Sequence, residues 1–161
     1  MEILGKKTME NFLNASSELR PADAVAAIII DKNEKLLLQL RDDYSDIFFP
    51  NHWGCFGGAI EHGESTEQAL IREVKEELEI DIAAENYEYF INVDFNMKRG
   101  GPVIKRYFYV VRCKEIELQN ITVNEGQGSR KFSKEEALSL HHVTPYDRLA
   151  IWCYFSQSRI V

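Results

Sequence analysis

Glu73, Glu76 and Glu77 stand at i, i+3 and i+4 in a stretch whose apolar residues recur at helical spacing. At about 100° per residue the three fall within one arc of roughly 100°, on the side opposite Lys75 and Ile71. Ala69 lies on that face one turn earlier and leaves space. An acidic helix face is usually just solvated, but two local rules argue against that here. Glu76 and Glu77 sit in the last turns, where the helix dipole disfavours negative charge. Glu73 and Glu77 also form a like-charge i,i+4 pair costing roughly 0.2–0.5 kcal/mol. Arg72 relieves part of this by pairing with Glu76. A bound divalent cation accounts for the rest, and hard oxygen donors suit Mg²⁺ or Mn²⁺. Just upstream, Gly57-Gly58 can bring a backbone carbonyl and amides beside the acidic face, because glycine allows close approach and unusual dihedrals.

The elements that must hold these groups are legible. Ser65 and Gln68 make a capping box that starts the carboxylate helix, and Leu70, Val74 and Leu78 form its buried stripe. Ala22 to Ile30 reads as a buried strand, Asp31-Lys32-Asn33-Glu34 as a turn, and Lys35 to Leu40 as the returning strand. A loop from Asp42 to His52 leads into a short strand, Trp53 to Phe56. After the helix come strands Tyr87 to Phe95 and Val103 to Arg112, joined by a turn at Gly100-Gly101-Pro102. Ser133 and Glu136 cap a short helix. Thr144-Pro145 starts a last helix that runs to about Ser156. Residues 1–20 read as an N-terminal arm or short helix. Strands and helices mix without a βαβ repeat, so an α/β fold with a mixed sheet and helices on its faces is expected.

The 161 residues fit one domain, and such a chain buries roughly 70% of its unfolded surface. A hydrophobic fraction of 45% excludes a disordered or fibrous protein. Ala24 to Ile30, the longest apolar run, is too short to span a bilayer, and no secretory signal follows Lys6-Lys7. Cys55, Cys113 and Cys153 are odd in number and widely spaced, which argues for free thiols in a reducing cytoplasm. A net charge of −7 disfavours extended nucleic acid as a partner. A phosphate-bearing substrate would then need a metal to offset its charge.

Gly58, five residues, Glu64, seven residues, then Arg72-Glu73-Val74-Lys75-Glu76-Glu77-Leu78-Glu79-Ile80 resembles the box of the Nudix hydrolase family, whose members include MutT-like proteins. Every defining position matches except Glu79, where the family usually has glycine. The resemblance implies a Nudix-type α/β/α sandwich with a mixed β-sheet, spanning residues 1–161. It also implies a small-molecule nucleotide substrate. Glu73, Glu76 and Glu77 correspond to the metal ligands, one of which can also act as general base. The Gly57 carbonyl corresponds to a further ligand. Arg72 resembles the arginine that pairs with Glu64 and, with Gly58, braces the loop on the helix. Asn124-Glu125-Gly126-Gln127-Gly128 resembles the loop that gives some members an extra glutamate. Glu125 would then bind a second metal or activate water, although a Glu-Gly turn is also common in its own right. Homodimers occur among similar proteins.

The reaction implied is cleavage of a phosphoanhydride bond in a nucleoside diphosphate linked to another moiety, with a nucleoside triphosphate, an oxidised nucleotide or a nucleotide sugar as substrate. Rival readings carry less. A diphosphate isomerase on the same fold needs a cysteine in a specific motif, which Cys55 in Trp53-Gly54-Cys55-Phe56 does not provide. A non-catalytic binding module usually lacks box carboxylates, and all are present. Messenger-RNA decapping calls for a basic surface. The substrate-binding residues stay open. Tyr44, Phe48, Phe49 and Trp53 can stack on a base or fill the core, and Arg41, Lys105 and Arg106 can reach phosphates or remain solvated.

Overall fold

The run Ala24–Ile30 is apolar at every position because both of its faces are covered. In the computed structural model, which describes residues 19–96, 98–114, 118 and 121–159, this run forms β1. Val25, Ala27 and Ile29 enter one core, and Ala26, Ile28 and Ile30 enter another. A strand clad on both sides reads as a continuous hydrophobic segment. The remaining strands are β2 (Leu36–Leu40), β3 (Trp53–Gly54), β4 (Tyr87–Phe95), β5 (Ile104–Arg112) and β6 (Gly128–Phe132). The helices are α1 (Thr66–Leu78), α2 (Lys134–Ser139) and α3 (Pro145–Ser156).

The strand order is β3-β2-β1-β5-β4, with β6 on the other edge of β2. β1 and β5 are parallel and the other pairs are antiparallel, so the sheet is mixed. The first core lies between the sheet and α1, with Leu70, Val74 and Leu78 packed on Val25, Ala27, Ile29 and Tyr109. The second lies under α2 and α3, where Ala137, Ala150 and Ile151 meet Ile28, Leu38 and Phe132. This is the expected α/β/α sandwich.

One departure from regular pairing creates the space for a site. β1 and β2 pair only through Ile29–Leu37 and Ile30–Leu36. Beyond that they splay, and residues 53–59 run between them. Trp53–Gly54 pairs with β2, while Phe56 and Ala59 bridge Ala27 and Ala24 of β1. Regular strand structure therefore stops at Gly54 instead of reaching Phe56. β6 was missed in the sequence because Gly128-Ser129-Arg130-Lys131-Phe132 has no apolar alternation. It is an edge strand, held by its pairing with β2 from Leu36 to Leu40. The reading of residues 1–20 falls almost wholly outside the described residues.

Candidate active site

The carboxylate helix starts where the sequence places it. The Ser65 hydroxyl accepts from the Gln68 N–H at 3.2 Å, and the Gln68 side chain accepts from the Ser65 N–H at 2.8 Å. The amphipathic stripe then sets the rotation of α1 about its own axis, and the glutamates fan out from it. Glu77 is turned inward and is 2% exposed. Glu73 is half-buried and Glu76 is exposed. Ala69, on the same face, is fully buried in the core beneath them and opens no room at the surface.

The Gly57-Gly58 loop meets this helix end-on. Gly57 has φ +128°, and a Cβ there would lie 2.4 Å from the Val25 carbonyl oxygen, so only glycine fits. At Gly58 a Cβ would fall 2.6 Å from Glu73 Oε1, because the carboxylate lies against the bare backbone. The Gly57 N–H donates to Glu77 Oε2 at 2.8 Å, and Gln39 Nε2 reaches Glu77 Oε1 at 3.4 Å. The Gly58 carbonyl is taken up by the Val25 N–H at 2.9 Å, which pins the loop to β1.

Arg72 makes contacts to both the loop and the helix. Its Nε and Nη2 donate to the two oxygens of Glu64, both at 2.9 Å, and Nη2 also donates to the Ala59 carbonyl at 3.0 Å. Nη1 donates to Glu73 at 2.6 Å and to Glu76 at 3.1 Å. One guanidinium thus joins the loop at Ala59 and Glu64 to both turns of the helix, and a bidentate pair fixes that geometry better than a point charge could. Arg72 hydrogen-bonding holds the Glu64 carboxyl below its ordinary value.

Glu77 has no such cation among the described residues. Burial pushes its carboxyl up to about 8, opposed by the Gly57 N–H and reinforced by the charges of Glu125 and Glu73. Burial likewise raises Glu73 against the pull of Arg72, with Glu76 and Glu125 adding to the rise. Glu125, far away in sequence, lines the same cleft as Glu77 and the Gly57-Gly58 loop. A buried carboxyl without an ion-pair partner among the described residues is one whose charged form a bound cation would stabilise. The donors are all hard oxygens, the chemistry that Mg²⁺ or Mn²⁺ requires. The residues fit such an ion in kind. Among the described residues, though, no three acidic, histidine or cysteine groups close around a single point, since Glu73 and Glu76 are turned toward Arg72.

A cleft of about 310 Å³ opens from this acidic end. Gly57, Gly58, Glu77 and Glu125 line it together with the apolar side chains of Phe48, Phe95, Ile104 and Tyr146 and with Arg20, Arg41, Asp42 and Arg106. Phe95 and Tyr146 stack with ring centroids 6.1 Å apart and planes 10° apart. Of the aromatic residues weighed from sequence, only Phe48 reaches the cleft. Phe49 packs edge-on to Tyr146 behind it. Trp53 packs on Phe132 in the second core, and Tyr44 is 62% exposed away from the cleft. Phe95 and Tyr146 were missed because each belongs to a distant element, one the end of β4 and the other the first turn of α3.

Of the basic residues, Arg41 and Arg106 line the cleft, and Arg41 Nε donates to the Phe48 carbonyl at 3.0 Å. Lys105 pairs with Asp94 at 3.8 Å. Arg106 is not solvated, yet it lines the cleft. It is buried, donates to Asp147 Oδ1 at 3.0 Å and lies 4.7 Å from the Tyr146 ring centroid. The other Asp147 oxygen accepts from the Cys55 N–H at 2.9 Å and from the Thr144 hydroxyl at 2.7 Å. This buried polar hub locks α3 to the sheet and so holds Tyr146 in the cleft. Cys55 is part of its packing, and burial pushes the thiol well above its ordinary value, as expected of an inert core cysteine.

Known proteins resemble this chain at several levels. Over 67 residues it is 42% identical to the dihydroneopterin triphosphate diphosphatase of Escherichia coli K12, a match covering 41% of this chain and 41% of that protein's length. It is 30% identical over 112 residues to the nucleoside triphosphatase NudI of Escherichia fergusonii, covering 66% of this chain and 77% of that protein. Among solved structures, a MutT protein from Methanosarcina mazei Go1 superposes with a TM-score of 0.71 at 18% identity, over 90% of this chain and all of that one. The E. coli ORF135 protein superposes with a TM-score of 0.67 at 28% identity, over 87% and 92% of the respective chains. The family model of the NUDIX domain matches residues 20–153, which takes in the box, the Glu125 loop and every strand, and the chain therefore belongs to the Nudix family.

Proposed function

We propose that this protein is a metal-dependent hydrolase of a phosphoanhydride bond in a nucleoside diphosphate linked to another moiety. The observation that carries the reading is the buried Glu77, held by the Gly57 N–H without an ion-pair partner among the described residues, in a cleft that Glu125 also lines, with Glu73 lying against Gly58. Glu73, Glu76, Glu77, Glu125 and the Gly57 carbonyl are the groups that would hold Mg²⁺ or Mn²⁺. Such an ion, when bound, offsets phosphate charge and orients substrate and water. The chain's own residues do the rest. Arg72 and Glu64 fix the loop against α1, and the Gly57 N–H orients Glu77. A carboxylate of this group takes the proton from the attacking water. Glu125 suits that role, being exposed at the mouth of the site.

The apolar side chains of Phe48, Phe95 and Tyr146 offer a heterocycle a surface to stack on, while Arg41 lines the cleft for charged groups. That composition favours a nucleotide-like small molecule, and the names of the two sequence relatives, a diphosphatase and a nucleoside triphosphatase, agree with a triphosphate substrate. Free cysteines accord with a reducing, cytoplasmic setting. The test is a panel of nucleoside triphosphates, oxidised nucleotides and nucleotide sugars, assayed for phosphate-ester and pyrophosphate products with Mg²⁺, with Mn²⁺ and with EDTA. Turnover of at least one compound that vanishes in EDTA is expected. Turnover that survives EDTA, or none on the whole panel, refutes the reading.

A further inference from the structure

Glu125 lies on a short irregular segment, yet the structure gives that segment a specific anchor. The Asn124 N–H donates to the Glu77 carbonyl at 2.9 Å, and Asn124 Nδ2 donates to the Glu76 carbonyl at 2.8 Å. Both acceptors are among the last carbonyls of α1, which lack partners within the helix. Nδ2 also approaches Glu79 Oε1 at 3.4 Å. On the far side of Glu125, the Gln127 N–H donates to the Leu40 carbonyl and Gln127 Nε2 to the Arg41 carbonyl, both at 2.8 Å. Glu125 is thus suspended between the end of α1 and the end of β2, the two elements that carry Glu77 and its partner Gln39.

We infer that Asn124 is a positioning residue: by capping the C-terminus of the carboxylate helix it holds Glu125 in the cleft that Glu77 also lines. The residue type suits the task. Asparagine supplies a side-chain donor pair next to its own backbone N–H, so one residue satisfies successive carbonyls. A leucine or alanine there would leave the Glu76 carbonyl to water and tie the segment to α1 through the Asn124 N–H bond alone of the two that Asn124 makes. The inference rests on the metal-dependent reading of the site, and its test is built to fail separately from that reading.

The measurement is Mn²⁺ binding to the full chain by titration calorimetry, without substrate, for the wild type, Asn124→Ala, Glu125→Gln and the double variant. Asn124→Ser is a milder second variant should the alanine protein fold poorly. Losing one exposed side-chain hydrogen bond limits the effect to about three- to tenfold in affinity. The expected result is a loss of that size in Asn124→Ala and a comparable or larger one in Glu125→Gln. In the Glu125→Gln background, Asn124→Ala should change affinity by less than about twofold, because the group it positions is gone. On any substrate found by the panel, kcat should fall in Asn124→Ala while KM stays close to the wild-type value. Asn124→Ala that lowers the melting temperature but leaves Mn²⁺ affinity unchanged overturns the inference, as does an equal loss in both backgrounds. A chain that binds Mn²⁺ with this pattern but turns over no nucleotide refutes the hydrolase reading alone.

Discussion

Replacing Glu79 with glycine should stabilise this protein, and the structure allows the size of the gain to be worked out. Glu79 ends α1 in the left-handed region at φ 58°, ψ 23°, its N–H donating to the Lys75 carbonyl at 3.0 Å. A side chain in that conformation costs roughly 1–2 kcal/mol. The carboxylate also sits at the negative end of the helix dipole, a small and salt-screened penalty. Against these stand the long contact with Asn124 and the greater freedom of glycine in the unfolded chain, which costs about 0.4–1 kcal/mol. The net gain is then about 1 kcal/mol, or roughly 2–4 °C in melting temperature for a chain of this size. Thermal melts of the two proteins in metal-free buffer measure it. Turnover should stay within about threefold, because the Glu79 side chain faces Asn124 and does not line the cleft. An unchanged or lower melting temperature would show that the left-handed turn carries no strain here. A large fall in rate would give Glu79 a part in the reaction.

Other perturbations probe the site itself. Glu77→Gln and Glu76→Gln should each lower turnover by at least about a hundredfold with the fold intact, as circular dichroism would show, and near-normal rates in both variants would refute the assignment. The carboxyl of Glu77 is raised to about 8 in the folded chain against about 4.5 unfolded, so between these values the folded state keeps a proton that the unfolded state has lost. Its contribution to stability is full below pH 4.5 and declines as pH rises through 8, by up to about 1.4 kcal/mol per unit. Metal-free melting temperatures should therefore drop across that window beyond the drop of Glu77→Gln, and Mg²⁺ should restore more at pH 8 than at pH 5. Equal slopes for the two proteins would contradict the burial argument. Asp147→Ala strands the buried Arg106 guanidinium and the Cys55 N–H, and should cost about 3–5 kcal/mol in urea titrations. A loss under about 1 kcal/mol would mean that the hub is not holding α3.

What the sequence determined was everything carried by short-range spacing. The capping box at Ser65 and Gln68, the stripe of Leu70, Val74 and Leu78, and the shared arc of Glu73, Glu76 and Glu77 all lie within one helix and its N-cap. Local geometry fixes such relations, because a helix places i+3 and i+4 on one face whatever surrounds it. The continuous apolar run of β1 likewise announced a strand buried on both faces. Tertiary structure decided what became of those residues. The helical arc makes Glu73, Glu76 and Glu77 alike, but packing on the sheet buries Glu77, half-buries Glu73 and leaves Glu76 in solvent. Glu125 lines the cleft beside Glu77, on a segment whose Asn124 bonds the end of a helix some 45 residues upstream in the chain. Arg106 is drawn into the interior by Asp147, 41 positions later, while Phe95 and Tyr146 meet at the cleft from opposite ends of the fold. Such contacts are set by how far β1 and β2 splay and how α3 crosses the sheet. Those quantities follow from the packing of whole layers, which no local pattern of residues encodes.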